Sequence, residues 1–206
     1  MPHPNPPSLQ LAQLSVSRAQ RTLIAALDLQ LSGGELLHLR GPNGCGKTSL
    51  LETIAGLRQP AAGSVQGPTE AGGLHWISHR NALTPPLTAI ENLDFWCGIN
   101  GVDPRAVPAA LDRLQLAAGA RRRVVRSLSA GQKRRASLAR LLLAPRPLWL
   151  LDEPLDGLDR DGIELFAGLL DEHLTQGGMV VMTSHQPLPA LRGAVRVLDL
   201  QQAGRS

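Results

Sequence analysis

The 206-residue sequence has no tyrosine, little other aromatic character, few cysteines and no long apolar run. Its two cysteines, Cys45 and Cys97, are too few for a disulfide framework or a CxxC metal pattern. Pro145 and Pro147 interrupt the longest apolar stretch, so no segment reaches the roughly 18 to 20 apolar residues that span a bilayer. Residues 1–7 lack the basic start and apolar core of a signal peptide. We therefore expect a cytoplasmic protein whose membrane role is peripheral.

The composition is otherwise that of a folded protein. Apolar residues make up 43% of the chain and charged residues 18%, which argues against disorder over most of the length. We expect a disordered tail over residues 1–7 and one domain over residues 8–206, because the chain is short for two independent cores. The net charge of +4 is compatible with nucleic acid or an anionic membrane as a partner. The alternative is that the frequent use of arginine reflects the composition of the genome.

Strand and turn signals dominate the first part of the chain. Alternating leucines at residues 27–31, a two-glycine turn and the segment 35–40 predict a β-hairpin that ends at a glycine-rich loop. Residues 48–57 then predict a helix, which ends at Gly56 or at the later Pro60. The order strand, glycine loop, helix is typical of phosphate-binding proteins.

The remainder predicts an α/β domain with a helical insertion. Helical periodicity dominates residues 83–144, with proline and glycine between the helices. The short apolar runs 148–151 and 179–183 have the character of buried parallel strands, with a helix between them and a further strand at 195–200. We therefore predict an α/β fold with an antiparallel N-terminal region and helices inserted in the middle.

A phosphate-binding loop is predicted at residues 41–48, where GPNGCGKT matches G-x-x-x-x-G-K-[ST]. Glycines allow backbone N–H groups to surround phosphate oxygens, and the dipole of the following helix adds to the attraction. Lys47 is expected to reach the β- and γ-phosphates of ATP, and Thr48 to ligate Mg²⁺. Cys45 is interpreted as a small filler rather than a nucleophile. The predicted nucleotide-binding residues here are Gly41, Pro42, Asn43, Gly44, Cys45, Gly46, Lys47, Thr48 and Ser49.

Two carboxylates follow the predicted strand at 148–151, as in a Walker B segment. Asp152 is expected to hold Mg²⁺ through its water shell. Glu153 is expected to polarise the attacking water as general base, a role worth roughly 10² to 10⁴ in rate. The alternative is a solvated strand end, which the phosphate loop earlier in the chain disfavours.

The segment Leu128-Ser-Ala-Gly-Gln132 precedes this strand and begins a predicted helix, with Ser129 as its N-cap. It resembles the LSGGQ signature of ABC ATPases. The resemblance implies a P-loop NTPase with a RecA-like core, an N-terminal antiparallel β-subdomain and an inserted helical subdomain that carries the signature. It also implies a head-to-tail homodimer, in which Ser129, Gly131 and Gln132 of one subunit contact the nucleotide of the other.

Two further segments agree with this resemblance. Leu155-Asp-Gly-Leu-Asp159 is similar to the D-loop of ABC ATPases, which implies that Asp159 communicates across the dimer. Thr183-Ser-His185 is similar to the switch segment, which implies that His185 contacts the γ-phosphate and orients the water. The implied catalytic residues are Lys47, Glu153 and His185.

Several local phrases are also similar to the ATP-binding subunits of cytochrome c maturation exporters, among them residues 78–82, 87–93, 148–154 and 184–188. This resemblance implies permease subunits of the CcmB and CcmC type and, indirectly, a haem chaperone as partners. The implied location is the cytoplasmic face of the bacterial inner membrane. The implied function is haem-related export or release of the chaperone in cytochrome c biogenesis. Alternatives are another ABC transporter and a soluble nucleic-acid-associated ABC protein.

Two positions depart from the family pattern. Most ABC ATPases have a glutamine that touches Mg²⁺ where this chain has Arg80, and a guanidinium cannot ligate a cation. Either Arg80 contacts phosphate or another group couples the site to the membrane partner; a third possibility is that turnover is lost. The aromatic residue that usually stacks on adenine is absent, and Arg18 either stacks there by its planar cation or is simply exposed.

Overall fold

The structure, a computed structural model, describes residues 7–70 and 72–203. Apart from Pro7, the tail predicted at residues 1–7 lies outside the described residues. The strands are β1 (Ser8–Arg18), β2 (Arg21–Ser32), β3 (Glu35–Arg40), β4 (Ala62–Gln66), β5 (Leu74–Ile77), β6 (Leu148–Leu151), β7 (Met179–Thr183) and β8 (Ala194–Asp199). The helices are α1 (Lys47–Ile54), α2 (Ala89–Asn100), α3 (Val107–Arg113), α4 (Ala118–Arg121), α5 (Ala130–Leu138), α6 (Arg140–Leu143), α7 (Arg160–Thr175) and α8 (Leu200–Ala203).

A five-stranded parallel sheet in the order β5-β6-β7-β3-β8 forms the centre of the fold. Its central strands β6 and β7 are apolar except for Thr183, because both faces are covered. Leu148 and Leu150 pack on one face with α1, whereas Trp149 and Leu151 pack on the other with Phe166 of α7. All five strands point the same way, so the loops after their carboxyl ends meet at one edge of the sheet.

A smaller antiparallel sheet in the order β2-β1-β4 packs against the α1 side of the parallel sheet. β1 and β2 are joined by a two-residue turn in which Ala19 and Gln20 have φ values of 47° and 63°. Such left-handed turns match the natural twist of a hairpin. The predicted α/β fold with an antiparallel N-terminal region is confirmed.

The hairpin predicted from residues 27–31 and 35–40 is wrong. β2 pairs with β1, whereas β3 pairs with β7 and β8 in the other sheet. The chain changes sheets at the glycine pair, where a Cβ on Gly33 would lie 2.6 Å from the carbonyl oxygen of Gly177. The backbone before β3 therefore lies close to the turn before β7, its neighbour in the parallel sheet.

Helices α2 to α6 come between β5 and β6, and the exact subdomain limits of 83–144 stay a prediction. α1 ends at Ile54, earlier than predicted, and Gly56 follows with a φ of 73°. Over the described residues, none of the helices has the length and apolar character needed to span a membrane.

Candidate functional site

A cleft of about 990 Å³ lies at the carboxyl edge of the parallel sheet. One wall comes from the β1–β2 turn, and the other comes from the loops that follow β5, β6 and β7. The predicted site residues that line it are Asn43, Gly44, Gly46, Lys47, Thr48, Ser49, Arg80, Asp152, Glu153 and His185. Residues far apart in sequence therefore converge on one space, as the topology requires.

The phosphate loop connects β3 to α1 and forms the floor of the cleft. Gly41, Gly44 and Gly46 have φ values of 138°, 82° and 110°, a region that side chains rarely adopt. Lys47 is buried and its Nζ donates hydrogen bonds to the carbonyl oxygens of Gly41 (2.8 Å) and Pro42 (3.3 Å). The lysine thus spans the loop from within, and the amino end of α1 adds a positive dipole end suited to phosphate.

The loop is joined to the acidic pair by hydroxyl groups. Thr48 Oγ1 donates to Asp152 Oδ2 at 2.9 Å, and Thr183 Oγ1 donates to Asp152 Oδ1 at 2.9 Å. The same Thr183 hydroxyl accepts a hydrogen bond of 2.9 Å from the backbone N–H of Glu153. The start of α1 and the ends of β6 and β7 are therefore held in a fixed arrangement around the Asp152 carboxylate.

Glu153 is buried, and its backbone is in the left-handed region with a φ of 51°. Its Oε2 accepts a 2.9 Å hydrogen bond from the backbone N–H of His185, and its Oε1 lies 3.5 Å from His185 Nε2. Oε1 has no hydrogen-bond partner within the described chain although it is buried. A carboxylate oxygen with spare acceptor capacity beside an exposed histidine is suited to binding a water proton.

The residues present fit a magnesium ion. The Thr48 hydroxyl and the Asp152 carboxylate are hard oxygen ligands placed together at the cleft floor, which is the donor type that Mg²⁺ prefers. Over residues 7–70 and 72–203, no group of three His, Cys, Asp or Glu side chains is arranged to hold a metal by itself. A protein site of two oxygens agrees with an ion that is completed by phosphate and water.

Arg80 is exposed and lines the cleft, as does Arg18 on the opposite wall. Arg18 is the last residue of β1, next to the turn, and it is exposed. The two arginines make the rim of the cleft basic, which favours an anionic ligand.

The signature residues do not line the cleft in the described chain. Ser129 caps α5 by accepting a 3.2 Å hydrogen bond from the backbone N–H of Gln132, while Gln132 Oε1 accepts from the Ser129 backbone N–H at 3.1 Å. This is the predicted N-cap, formed as a capping box. A Cβ on Gly131 would lie 2.8 Å from the carbonyl oxygen of Gly157, so the helix start and the segment after Glu153 touch.

Asp159 is held beside the signature helix. Its Oδ1 caps α7 by accepting from the backbone N–H of Gly162 at 2.9 Å, and it also accepts from Arg135 Nη2 at 2.7 Å. Hydrogen bonds from Arg135 and Gly162 lower the pKa of this carboxyl below its ordinary value. Asp159 therefore has a local structural role in the single chain.

Sequence reasoning missed two residues that organise the site. Thr183 was quoted as part of a motif without a role, although a hydroxyl that ends an otherwise apolar strand was a usable signal. The other is Arg134, which is buried and binds the loops that follow β5 and β6. Nothing in its sequence context distinguishes it from its exposed neighbours.

Comparison with known proteins identifies the family. The ABC transporter family model matches residues 24–156. The chain is 44% identical over 209 residues to the cytochrome c biogenesis ATP-binding export protein CcmA of Pseudomonas savastanoi pv. phaseolicola, covering 97% of this chain and 98% of that protein. The family predicted from the signature segment is thus confirmed.

Solved structures show the same fold at lower identity. A putative ABC transporter ATP-binding protein from Pyrococcus furiosus superposes with a TM-score of 0.81 at 23% identity, covering 95% of this chain and 98% of that chain. The ATP-binding cassette MJ0796, described as dimeric and bound to ADP and phosphate, superposes with a TM-score of 0.74 at 22% identity. The match covers 86% of this chain and 88% of that chain. The P-loop NTPase fold is confirmed, and the chain belongs to the ABC transporter family as an ATP-hydrolysing subunit related to the cytochrome c biogenesis ATP-binding export proteins.

Proposed function

We propose that the chain hydrolyses ATP as one of two identical subunits beneath permease subunits of the CcmB and CcmC type. The complex is located at the cytoplasmic face of the bacterial inner membrane. There it drives haem-related export, or the release of a haem chaperone, during c-type cytochrome biogenesis. The observation that supports this assignment is the 44% identity to CcmA over nearly the full length of both proteins.

The proposed chemistry is attack of water on the γ-phosphate of ATP. Glu153 accepts the water proton. Its position is maintained by the hydrogen bond that its backbone N–H donates to Thr183 Oγ1 and by the one that its carboxylate accepts from the His185 N–H. Lys47 neutralises phosphate charge from inside the loop, and His185 orients the water from the cleft wall. The long side chain of Arg80 replaces the usual glutamine and contacts phosphate.

Mg²⁺ would be held by Thr48 and by Asp152, and when bound it neutralises charge on the phosphate oxygens. The hydrogen bond between these two residues keeps their oxygens together. Thr183 orients the Asp152 carboxylate by bonding its second oxygen. The protein thus provides a preorganised pair of ligands.

The signature residues complete the site of the partner in the proposed dimer. Ser129, Gly131 and Gln132 lie at the amino end of α5 and outside the cleft of their own chain, so they are available to a nucleotide held by another copy. Asp159 is bonded to Arg135 of the same helix. The dimeric form of the similarly folded MJ0796 cassette supports this arrangement.

The basic segment between residues 121 and 140 does not favour nucleic acid as the partner. Five of its eight cationic side chains donate to groups of the chain itself. These are Arg121 to Asp112, Arg123 to the Ser127 carbonyl, Arg134 to four carbonyls, Arg135 to Asp159 and Arg140 to the Ala82 carbonyl. A phosphate-binding surface needs cations that are available to solvent.

The test is to isolate the tagged Glu153→Gln chain with ATP from gently solubilised membranes of its own cells. Mass spectrometry then identifies the proteins that accompany it. Polytopic subunits together with a haem chaperone support the proposal. Recovery of an unrelated permease would leave the ATPase assignment in place and overturn the haem assignment. Nucleic acid or ribosomes without membrane protein would overturn the transporter assignment.

A further inference from the structure

Five consecutive carbonyl groups of the segment 78–82, which carries Arg80, accept hydrogen bonds from side chains. Helices α5 and α6 supply the donors for four of them. Arg134 donates to the carbonyls of Ser78 and His79 (both 3.2 Å), Ser137 to that of Asn81 (3.0 Å) and Arg140 to that of Ala82 (2.6 Å). Ser78 Oγ donates to the Arg80 carbonyl at 2.5 Å. This segment is therefore attached to α5 at Ser78, His79 and Asn81 and to α6 at Ala82.

Arg134 differs from the other donors because it also reaches the acidic loop. Its Nη2 donates to the carbonyl oxygen of Glu153 at 3.1 Å, and its Nε donates to that of Asp156 at 3.3 Å. With the two bonds to Ser78 and His79, one buried guanidinium joins four carbonyls from two loops. The planar fork of arginine makes this possible, since its five N–H groups have fixed directions.

The bond to Glu153 falls on a strained residue. A φ of 51° costs a non-glycine residue free energy, and it persists only where surrounding contacts enforce it. Four hydrogen bonds do so here. The backbone N–H bonds Thr183 Oγ1, the backbone carbonyl accepts from Arg134 and from the Asp156 N–H, and the carboxylate accepts from the His185 N–H. Among these partners, Arg134 is the one that belongs to the signature helix.

We propose that Arg134 is a positioning residue for hydrolysis, which couples α5 to the orientation of the Glu153 carboxylate and to the segment that carries Arg80. A displacement of α5 is transmitted through one side chain to both loops. The inference rests on the proposed role of Glu153 as general base. Arg134 itself lies outside the cleft and makes no contact with the phosphate loop among its hydrogen bonds.

The test compares Arg134→Lys with Arg140→Lys in the full chain purified with its membrane subunits. Both changes keep the positive charge on the same helical run, but Arg140 bonds only to Ala82 and does not reach Glu153. Lysine lacks the fork and cannot replace four directed bonds. For Arg134→Lys we expect kcat to fall roughly 10- to 100-fold, the effect of losing a charged hydrogen bond, with KM for ATP unchanged.

Equilibrium binding of MgADP, measured by calorimetry, accompanies the kinetics. Unchanged ADP affinity with reduced kcat in Arg134→Lys, and kcat within about twofold of wild type in Arg140→Lys, supports the proposal. Wild-type kcat in Arg134→Lys overturns it, as does an equal loss in Arg140→Lys. A parallel loss of ADP affinity in Arg134→Lys also overturns it, since that result indicates general structural damage.

Glu153→Gln is measured alongside to separate this inference from the proposal it rests on. If that variant still hydrolyses ATP, the general-base assignment fails, and the Arg134 inference fails with it. If Glu153→Gln is inactive while Arg134→Lys retains wild-type turnover, only the role of Arg134 is wrong.

Discussion

Thr48 Oγ1 and Asp152 Oδ2 are hydrogen-bonded at 2.9 Å although 104 positions separate the two residues in the chain. This contact joins the phosphate loop to the end of β6. It also brings together the two oxygen ligands proposed for Mg²⁺.

The first prediction concerns the metal. Thr48→Val removes one ligand oxygen with little change in volume, so we expect the Mg²⁺ concentration for half-maximal ATP hydrolysis to rise on the order of tenfold. Excess EDTA abolishes hydrolysis in both proteins. The measurement is phosphate release against free Mg²⁺, with the exposed Thr175→Val at the end of α7 as control. An unchanged Mg²⁺ dependence in Thr48→Val would contradict the ligand assignment.

The second prediction concerns the general base. Glu153→Gln is expected to lower kcat by roughly 10² to 10⁴, because the amide cannot accept the water proton. ATP binding and ATP-driven dimerisation remain, since Lys47 and the phosphate loop are intact. Single-turnover phosphate release and size-exclusion chromatography with ATP measure the two effects. Glu164→Gln, at an exposed position on α7, is the matched control, and ready turnover by Glu153→Gln would refute the role.

The third prediction concerns Thr183, whose hydroxyl bonds both members of the acidic pair. Thr183→Val keeps the shape but leaves a buried N–H and a carboxylate oxygen without this partner. We expect the free energy of unfolding to fall by about 1–3 kcal/mol, with a loss of kcat. Thr53→Val is the control, because buried Thr53 bonds only the Ser49 carbonyl of its own helix. Equal destabilisation by the two variants in urea titrations would be evidence against the bridging role.

The fourth prediction concerns pH. Burial lowers the pKa of His75 from 6.5 to about 4, and the ring nitrogen Nε2 lies 2.8 Å from the Ala144 carbonyl. Between these values the unfolded chain binds the extra proton, so stability falls as the pH drops below 6.5. The loss from this residue is about 2 kcal/mol between pH 7 and pH 5, and about 3 kcal/mol once the pH is well below 4.

His75→Gln removes this titration, so its free energy of unfolding should depend less on pH than that of the wild type. Urea unfolding at both pH values measures the difference. His79→Gln, which replaces an exposed histidine, is measured in the same way as the control. If His75→Gln loses as much stability as the wild type on acidification, the buried neutral histidine is not responsible.

Local signals predicted the elements that a short stretch of sequence is sufficient to identify. The apolar runs at β6 and β7 were found at their observed limits because strands buried on both faces are apolar throughout. The cap at Ser129 was found because a capping box is contained within four residues. The phosphate loop and the acidic pair carry their chemistry in consecutive residues.

Contacts between distant segments were not predictable in this way. β3 pairs with β7 and β8, which come more than 130 residues later, and no pattern near β3 contains that information. The four carbonyls that Arg134 binds belong to two loops brought together only by the complete fold. Sequence reasoning therefore proposed the reacting groups from short motifs and missed the residues that hold the surrounding loops in place.

The left-handed backbone conformation of Glu153 favours a different residue type from the one that the proposed chemistry requires. A glycine would adopt this conformation without strain, whereas the proton transfer proposed for Glu153 requires a carboxylate. The proposed general base and an unstrained backbone therefore place opposite demands on the residue at this position.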